Sequence, residues 1–213
     1  MKKTLALVLA FTMIFSSVIT VFADETAAAI SADAQTCADL GILVGDGNGV
    51  TADYLAQTPL RIQAAIMFLR LKGLEAEAKA FTGTDNFADA DQVAWAEGRA
   101  ILAYLKAHPE LGWQGNEGKF DPNSPVTAQQ YYKVMLEALG YKQTTAEAEG
   151  DFKWTEVMAF AAEKGLVKVA DVEKFTNNDL ATATMEALKV NVKDSKDTLA
   201  VKLVDDGMIN KEA

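Results

Sequence analysis

One pattern occurs three times along the chain, and it restricts the possible fold more than any other feature. Each time, a helical stretch leads into a glycine-rich or polar loop, and a second helix with one apolar stripe follows. The loops are clearest at residues 45–49 and 115–122, and the third, after Gly165, is degenerate. A unit of about 50 residues buries too little apolar surface to be stable alone. We therefore predict an all-α protein in which three helix-loop-helix repeats pack around a shared axis.

The repeats are placed at residues 29–73, 86–140 and 151–209, and the last includes an additional C-terminal helix. Between them, residues 74–85 and 141–150 are rich in Ala, Glu, Thr and Lys. This composition predicts connectors or short exposed helices.

Helix starts and ends are marked by specific residues. The predicted N-caps are Thr58, Thr127, Thr176 and Ser195. Pro59 fits the first turn of its helix, and Gln130 and Asp179 follow their threonines by three residues, as in a capping box. Gly73 and Gly140 are predicted to end the first two of these helices.

The N-terminus has the features of a secretory signal peptide. Lys2 and Lys3 precede an apolar run at residues 5–15, and small residues lead to a predicted cleavage after Ala23. The run is shorter than the ~20 apolar residues of a membrane-spanning helix. Cleavage would change the formal net charge from -10 to -12. Such an acidic chain is not expected to bind nucleic acid, and no membrane association is expected after cleavage.

The chain has one Cys and one His, which leaves few parts for a disulfide framework, a Cys/His zinc site or a His-assisted nucleophile. Cys37 is predicted to be a small buried side chain, and His108 a solvated turn residue. A loop starting at Asp46 lacks the EF-hand pattern, because Gln57 stands where the bidentate Glu belongs. We expect no metal, no cofactor and no catalysis, and a glycosidase interpretation of the acidic pairs ranks last.

The second repeat resembles the S-layer homology family. That family shows an aromatic-x-Asp opening, a Trp-Ala pair, an Ile-Leu helix, a Gly-x-x-Gly-x-Phe-x-Pro loop and a helix that opens on Ile-Thr-Arg-Ala-Glu. The matching residues are Phe87, Asp89, Trp95, Ala96, Ile101, Leu102, Gly115, Gly118, Phe120, Pro122, Val126 and Thr127. The first repeat resembles the family over residues 40–73 but lacks the aromatic-x-Asp opening, and the third keeps mainly the helix spacing.

This resemblance implies a pseudo-threefold arrangement with grooves between the repeats, in a protein of the cell wall or S-layer. The family attaches exported proteins to anionic secondary cell-wall polysaccharide on the peptidoglycan of Gram-positive bacteria. The family's Arg/Glu pair at the helix start is replaced by three pairs: Arg61 with Gln63, Ala128 with Gln130, and Asn177 with Asp179. Polymer binding should therefore depend on Arg61, because a guanidinium matches carboxylate or phosphate oxygens.

The residues implied to contact polysaccharide are Arg61, Gln63, Asp89, Trp95, Gly115, Gly118, Thr127, Gln130, Trp154, Asn177 and Asp179. The spacing of Trp95 and Trp154 among apolar residues also fits a core position, which is the more common case and our expectation. Asp89 is expected to cap its helix. The alternative function is a degenerate module for contacts with other surface proteins or for surface-lattice assembly.

Overall fold

The computed structural model describes residues 30–146 and 148–209, so the predicted signal peptide lies outside the described residues. Within these ranges the chain forms nine α-helices and no β-strand, only isolated β-bridges. The helices are α1 (Ala32–Asp39), α2 (Ala52–Leu55), α3 (Arg61–Leu71), α4 (Glu75–Lys79), α5 (Ala96–Ala107), α6 (Ala128–Ala138), α7 (Val157–Glu163), α8 (Asn177–Leu188) and α9 (Leu199–Asp205). The all-α class is confirmed.

Helices α6 and α8 begin at capping boxes, as predicted. The Thr127 hydroxyl accepts from the Gln130 amide at 3.2 Å, and the Gln130 side chain accepts from the Thr127 amide at 3.0 Å. Thr176 and Asp179 exchange the same two bonds at the start of α8. Both caps are local, since four consecutive residues supply every group that takes part.

The prediction that Thr58 caps α3 is wrong, because the N-cap is Leu60. An antiparallel bridge joins Leu60 to Pro125, and the Val126 amide donates to the Pro59 carbonyl at 3.0 Å. These contacts keep the chain extended up to Leu60, so the helix starts later. The Gln63 side chain then accepts from the Leu60 amide at 2.8 Å and satisfies one free donor of the first turn.

Other local predictions have mixed outcomes. Gly73 and Gly140 follow α3 and α6 with φ of 67° and 94°, as predicted. The tail helix α9 is capped by Thr198 and not by Ser195, which accepts from the Asp197 amide in the preceding turn. The first connector forms α4, whereas the described residues of 141–150 form no helix.

The buried apolar side chains form one continuous cluster that extends from α1 to α9. Helix α1 packs on α8, α4 on α5, and α6 on both α7 and α8. Cys37 lies fully buried in this core as a free thiol, and burial raises its pKa to about 12. Its predicted role as a small buried side chain is confirmed.

Hydrogen bonds at helix N-termini link segments that are distant in sequence. The Arg61 amide, at the start of α3, donates to the Ser124 carbonyl at 2.8 Å. The Asn177 amide, at the start of α8, donates to the Gln57 carbonyl at 2.9 Å. Near the start of α6, the Gln129 side chain donates to the Trp154 carbonyl at 2.9 Å. We call these contacts the helix-start joints, and the clefts described below lie beside them.

Candidate functional site

A cleft of about 520 Å³ lies where the first turn of α3 meets the loop before α6. Its walls include Arg61 from α3, residues 112–116, and Gln130 and Lys133 from α6, and Trp154 also lines it. We call this the Arg61 cleft. Segments from all three predicted repeats contribute to it.

The Arg61 guanidinium packs against two aromatic rings and has no ion pair among the described residues. Its central carbon is 5.1 Å from the Phe120 ring centroid and 5.7 Å from that of Trp113. Its Nε is buried and without a hydrogen-bond partner in this part of the chain. Burial lowers the pKa of Arg61, and the Asp121 and Asp89 carboxylates oppose this shift. The two aromatic rings therefore fix the position of the Arg61 cation, which keeps hydrogen-bond donors without partners.

Trp113 adds a second unused donor to the same cleft. The side chain is 1% exposed and its ring packs edge-on to Phe68. Its Nε1 is buried and lacks an acceptor within the described structure. Buried N–H groups in proteins almost always have a partner, so these two donors are open to oxygen acceptors from a ligand or from water.

The loop of the cleft depends on a glycine in a left-handed conformation. Asn116 and Lys119 exchange two backbone hydrogen bonds, at 2.8 and 2.9 Å, and Gly115 has φ of 72°. A Cβ at Gly115 would collide with the Lys119 carbonyl. The first loop repeats this geometry at Gly45, with φ of 81° and a Cβ that would collide with the Gly49 carbonyl. Both loops therefore require glycine for the same reason.

Asp89 stands at the N-cap of a 3-10 turn, Ala90–Gln92, as predicted in position, but its side chain makes no capping bond and holds the loop at residues 120–121 instead. It is 5% exposed, and its two carboxylate oxygens accept from the Phe120 and Asp121 amides at 2.9 and 2.8 Å. Asp121 has φ of 56°, which is unusual for a residue with a side chain. Asp89 thus holds a strained loop segment next to Arg61.

The structure places Arg61, Gly115, Gln130 and Trp154 together in the cleft. The other predicted site residues lie elsewhere or have local partners. Gln63, Thr127 and Asp179 make capping bonds, Gly118 lies in the turn, and Asn177 is buried.

The expectation that Trp95 and Trp154 are core residues is wrong, since they are 46% and 42% exposed. Trp95 is the N-cap of α5, and Trp154 begins a short 3-10 turn. Helical spacing does not apply at these positions, because each lies before its α-helix starts. Trp154 lines the cleft, whereas Trp95 lies over Gly98 outside it.

Sequence reasoning missed a buried ion pair in α6. Lys133 and Glu137 approach to 2.8 Å, with side chains only 9% and 8% exposed. Lys133 Nζ also donates to the Gly112 carbonyl at 2.8 Å. Burial lowers the pKa of Lys133 and raises that of Glu137, and each opposite charge counters the shift of the other. The signal was visible as opposite charges four residues apart within an apolar helix.

A second, shallower groove of about 330 Å³ lies between α2 and the start of α8. Its lining is uncharged and includes Ser31, Leu55 and Asn178. Beside it, the buried Asn177 side chain donates to the Tyr54 carbonyl at 2.9 Å. Among the described residues that line it, this groove has no cation to match an anionic ligand.

His108 is partly exposed, with its ring 4.2 Å from that of Tyr104 and its Nδ1 hydrogen-bonded to Glu110. At Asp46, the carboxylate accepts from the Asn48 amide at 2.9 Å and closes a local turn. Within the described ranges, no three His, Cys, Asp or Glu side chains are grouped to hold a metal ion.

Comparison with known proteins gives one relative. The chain is 32% identical over 219 residues to a protein of Thermoanaerobacter kivui named "Cell surface protein". The alignment covers 96% of this chain but only 27% of the relative, so the chain spans about a quarter of that protein's length. No family model matches the chain, and no solved structure matches it. Among the described residues, none of the helices has the length and apolar character needed to cross a membrane.

Proposed function

We propose that this is an exported, non-catalytic protein of the bacterial cell surface, which binds secondary cell-wall polysaccharide in the Arg61 cleft. The observation that carries the proposal is the pair of unused buried donors, Arg61 Nε and Trp113 Nε1, in one cleft. A sugar polymer with acidic substituents offers oxygen acceptors and a negative charge to this pair. The exposed face of Trp154 adds a surface on which a sugar ring can stack.

The relative from Thermoanaerobacter kivui supports a surface location through its printed name. The resemblance of residues 86–140 to the S-layer homology family supports the wall polymer as ligand. Within that resemblance, the loop at Gly115 has a left-handed glycine, which the turn itself requires.

The helix-start joints support a pseudo-threefold arrangement of S-layer homology-like repeats. The amide of Arg61 donates to the carbonyl three residues before the N-cap of α6. The amide of Asn177 donates to the carbonyl three residues before the N-cap of α3. The same bond thus links the first repeat to the second and the third repeat to the first, as a cyclic arrangement requires. The Gln129 bond to Trp154 joins the second repeat to the third in a different way.

Net charge opposes the proposed interaction, since a chain of formal charge -10 repels a polyanion at long range. The local charge of the cleft is nevertheless positive, because Arg61 and Lys133 both line it and Asp121 is the one acidic residue among its described lining residues. Screening at physiological ionic strength, where the Debye length is about 8 Å, makes the local charges decisive.

The proposal is tested by co-sedimentation of the purified chain without residues 1–23 with peptidoglycan sacculi, before and after chemical removal of the attached polymer. We expect pelleting with intact sacculi only. Arg61→Ala should weaken binding by about tenfold, the loss of one charged hydrogen-bonding partner. Arg70→Ala is the matched control, because Arg70 lies on the same helix and pairs with Glu75 outside the cleft.

Equal pelleting with stripped and intact sacculi would contradict polymer recognition. If Arg61→Ala leaves wall retention unchanged but alters self-association in sedimentation velocity, the module serves protein contacts instead.

A further inference from the structure

In the proposed function Lys133 counts only as a local positive charge, and its hydrogen bonds indicate a more specific role. It stands on the apolar face of α6, where only 9% of its side chain is exposed, yet it lines the Arg61 cleft. A lysine is almost never buried to this extent unless it is paired. The Lys133 ammonium is paired here, but not all of its N–H donors have a partner.

The Lys133 ammonium has three N–H donors. One donates to the Gly112 carbonyl at 2.8 Å and one faces Glu137 Oε2 at 2.8 Å. Lys133 lines the cleft and Glu137 does not, although the Glu137 carboxylate lies against Gly112, which also lines it. One donor of Lys133 remains for a group in the cleft.

Arg61 and Lys133 come from different helices, α3 and α6, and line the same space. With Trp113, the residues that line it hold three N–H donors without a partner among the described residues, and two positive charges. A carboxylate or a phosphate group fits this set, because each has several acceptor oxygens and a negative charge. A neutral sugar hydroxyl would accept from some of these donors but would leave the two positive charges without an anionic partner.

We infer that Lys133 is a second ligand-binding cation of the Arg61 cleft, and that Glu137 competes with an acidic group of the ligand for its ammonium. The inference rests on the proposed function, and it adds a second cation to the binding site and a residue, Glu137, that determines specificity. The ligand class is a sugar polymer that carries carboxylate or phosphate groups.

The competition makes binding depend on protonation. The charged groups that act on the pair are Arg61 from α3 and Lys142 just after α6, and Asp121 lines the same cleft. Because burial raises the pKa of Glu137, the carboxylate takes up a proton earlier than usual as pH falls. Lys133 then has no anionic partner, and an acidic ligand binds it more strongly. At alkaline pH the lowered pKa of Lys133 removes the cation.

The test is calorimetric titration of the chain without residues 1–23 with oligogalacturonate, inorganic phosphate and neutral dextran, between about pH 5 and about pH 8. The first two probes separate a carboxylate from a phosphate preference, and dextran reports binding without charge. For the wild type, we expect binding of at least one acidic probe that tightens as pH falls, and no binding of dextran.

Glu137→Gln imitates the protonated state and should tighten binding at neutral pH by about tenfold, while flattening the acid part of the pH profile. Removing Lys133 alone would leave a buried uncompensated carboxylate and put folding at risk. The double variant Lys133→Met/Glu137→Gln avoids this and should weaken binding by about tenfold or more. Asp206→Asn is the matched control, since Lys202 and Asp206 form an ion pair of the same spacing outside the cleft.

Two outcomes would overturn the inference while leaving the proposed function intact: a wild-type pH profile that Glu137→Gln does not change, or unaltered affinity in the double variant. If Asp206→Asn tightens binding as much as Glu137→Gln, overall charge and not Lys133 sets the affinity, which also overturns it. Absence of binding to sacculi and to both acidic probes would instead refute the proposed function.

Discussion

Two helix starts in this protein use the same backbone joint for different purposes. Arg61 at the start of α3 and Asn177 at the start of α8 each donate their amide to a carbonyl from a distant segment. The Arg61 side chain extends into a cleft of about 520 Å³ and keeps an unused donor. The Asn177 side chain is 2% exposed and bonds to the Tyr54 carbonyl. One scaffold position thus carries a candidate binding site at one joint and a structural contact at the other.

The difference follows from side-chain length and charge. The Arg61 guanidinium rests on Trp113 and Phe120, which places a cation at the cleft wall without an anionic partner among the described residues. Asparagine is short and neutral: its amide nitrogen donates to the Tyr54 carbonyl within its own joint, and its buried Oδ1 has no partner among the described residues. We therefore expect substitutions at the first joint to change binding more than stability, and substitutions at the second to do the opposite.

The largest expected effect comes from Asp89→Ala, which breaks the support of the Arg61 joint. The Phe120 and Asp121 amides lose their acceptor, and Phe120 is fully buried. We expect a loss of about 3 kcal/mol in the free energy of unfolding, together with loss of sacculus binding. Urea denaturation and co-sedimentation measure the two effects. Asp91→Ala, an exposed acidic residue nearby, is the control, and unchanged stability of the Asp89 variant would contradict its supporting role.

Asn177→Asp tests the structural joint. The change places a carboxylate oxygen against the Tyr54 carbonyl in a buried position. We expect the free energy of unfolding to fall by about 2 kcal/mol, with sacculus binding unaffected in the folded protein. Asn178→Asp should be nearly neutral, because its oxygen accepts from Ser31 and keeps that role. Loss of binding in a folded Asn177 variant would show that the second joint also contacts the polymer.

The buried ion pair Lys133–Glu137 lies beside the Arg61 joint, and burying these two charges lowers the free energy of unfolding. Lys133→Met/Glu137→Leu replaces the pair by apolar side chains of similar size, and such replacements are often stabilising. We expect a gain of about 1 kcal/mol in the free energy of unfolding at neutral pH, measured by urea denaturation. The sign follows from the two pKa shifts. A raised pKa of Glu137 favours folding only toward acid pH, and a lowered pKa of Lys133 favours it only toward alkaline pH. A large loss of stability would contradict this.

The local elements of the fold were predictable from sequence, and the joints were not. The caps at Thr127 and Thr176 depend on residues within one turn, so their spacing predicts them. The N-cap of α3 was predicted at the wrong residue because pairing with residues 125–126, over sixty positions away, keeps the chain extended to Leu60. A single sequence gives no access to that contact.

The candidate site was predicted in part for the same reason. Arg61 and Gly115 were identified through the family resemblance, whereas Trp113 and Lys133 were missed. Their importance arises only when α3, residues 112–116 and α6 meet in space. Exposure of Trp154 was also missed, since the apolar spacing of α7 was extended one turn too far toward the N-terminus.

The smallest expected effect on stability comes from Trp154→Ala, which separates sugar stacking from charge at the Arg61 joint. The ring is 42% exposed, and the backbone carbonyl that accepts from Gln129 remains in the variant. We expect the free energy of unfolding to change by about 0.5 kcal/mol or less, while sacculus binding weakens about fivefold to tenfold through loss of one stacking face. Trp95→Ala, equally exposed but outside the cleft, should leave binding unchanged. If both variants weaken binding alike, the polymer contacts a wider surface than the cleft, and the contrast between the two joints no longer locates the site.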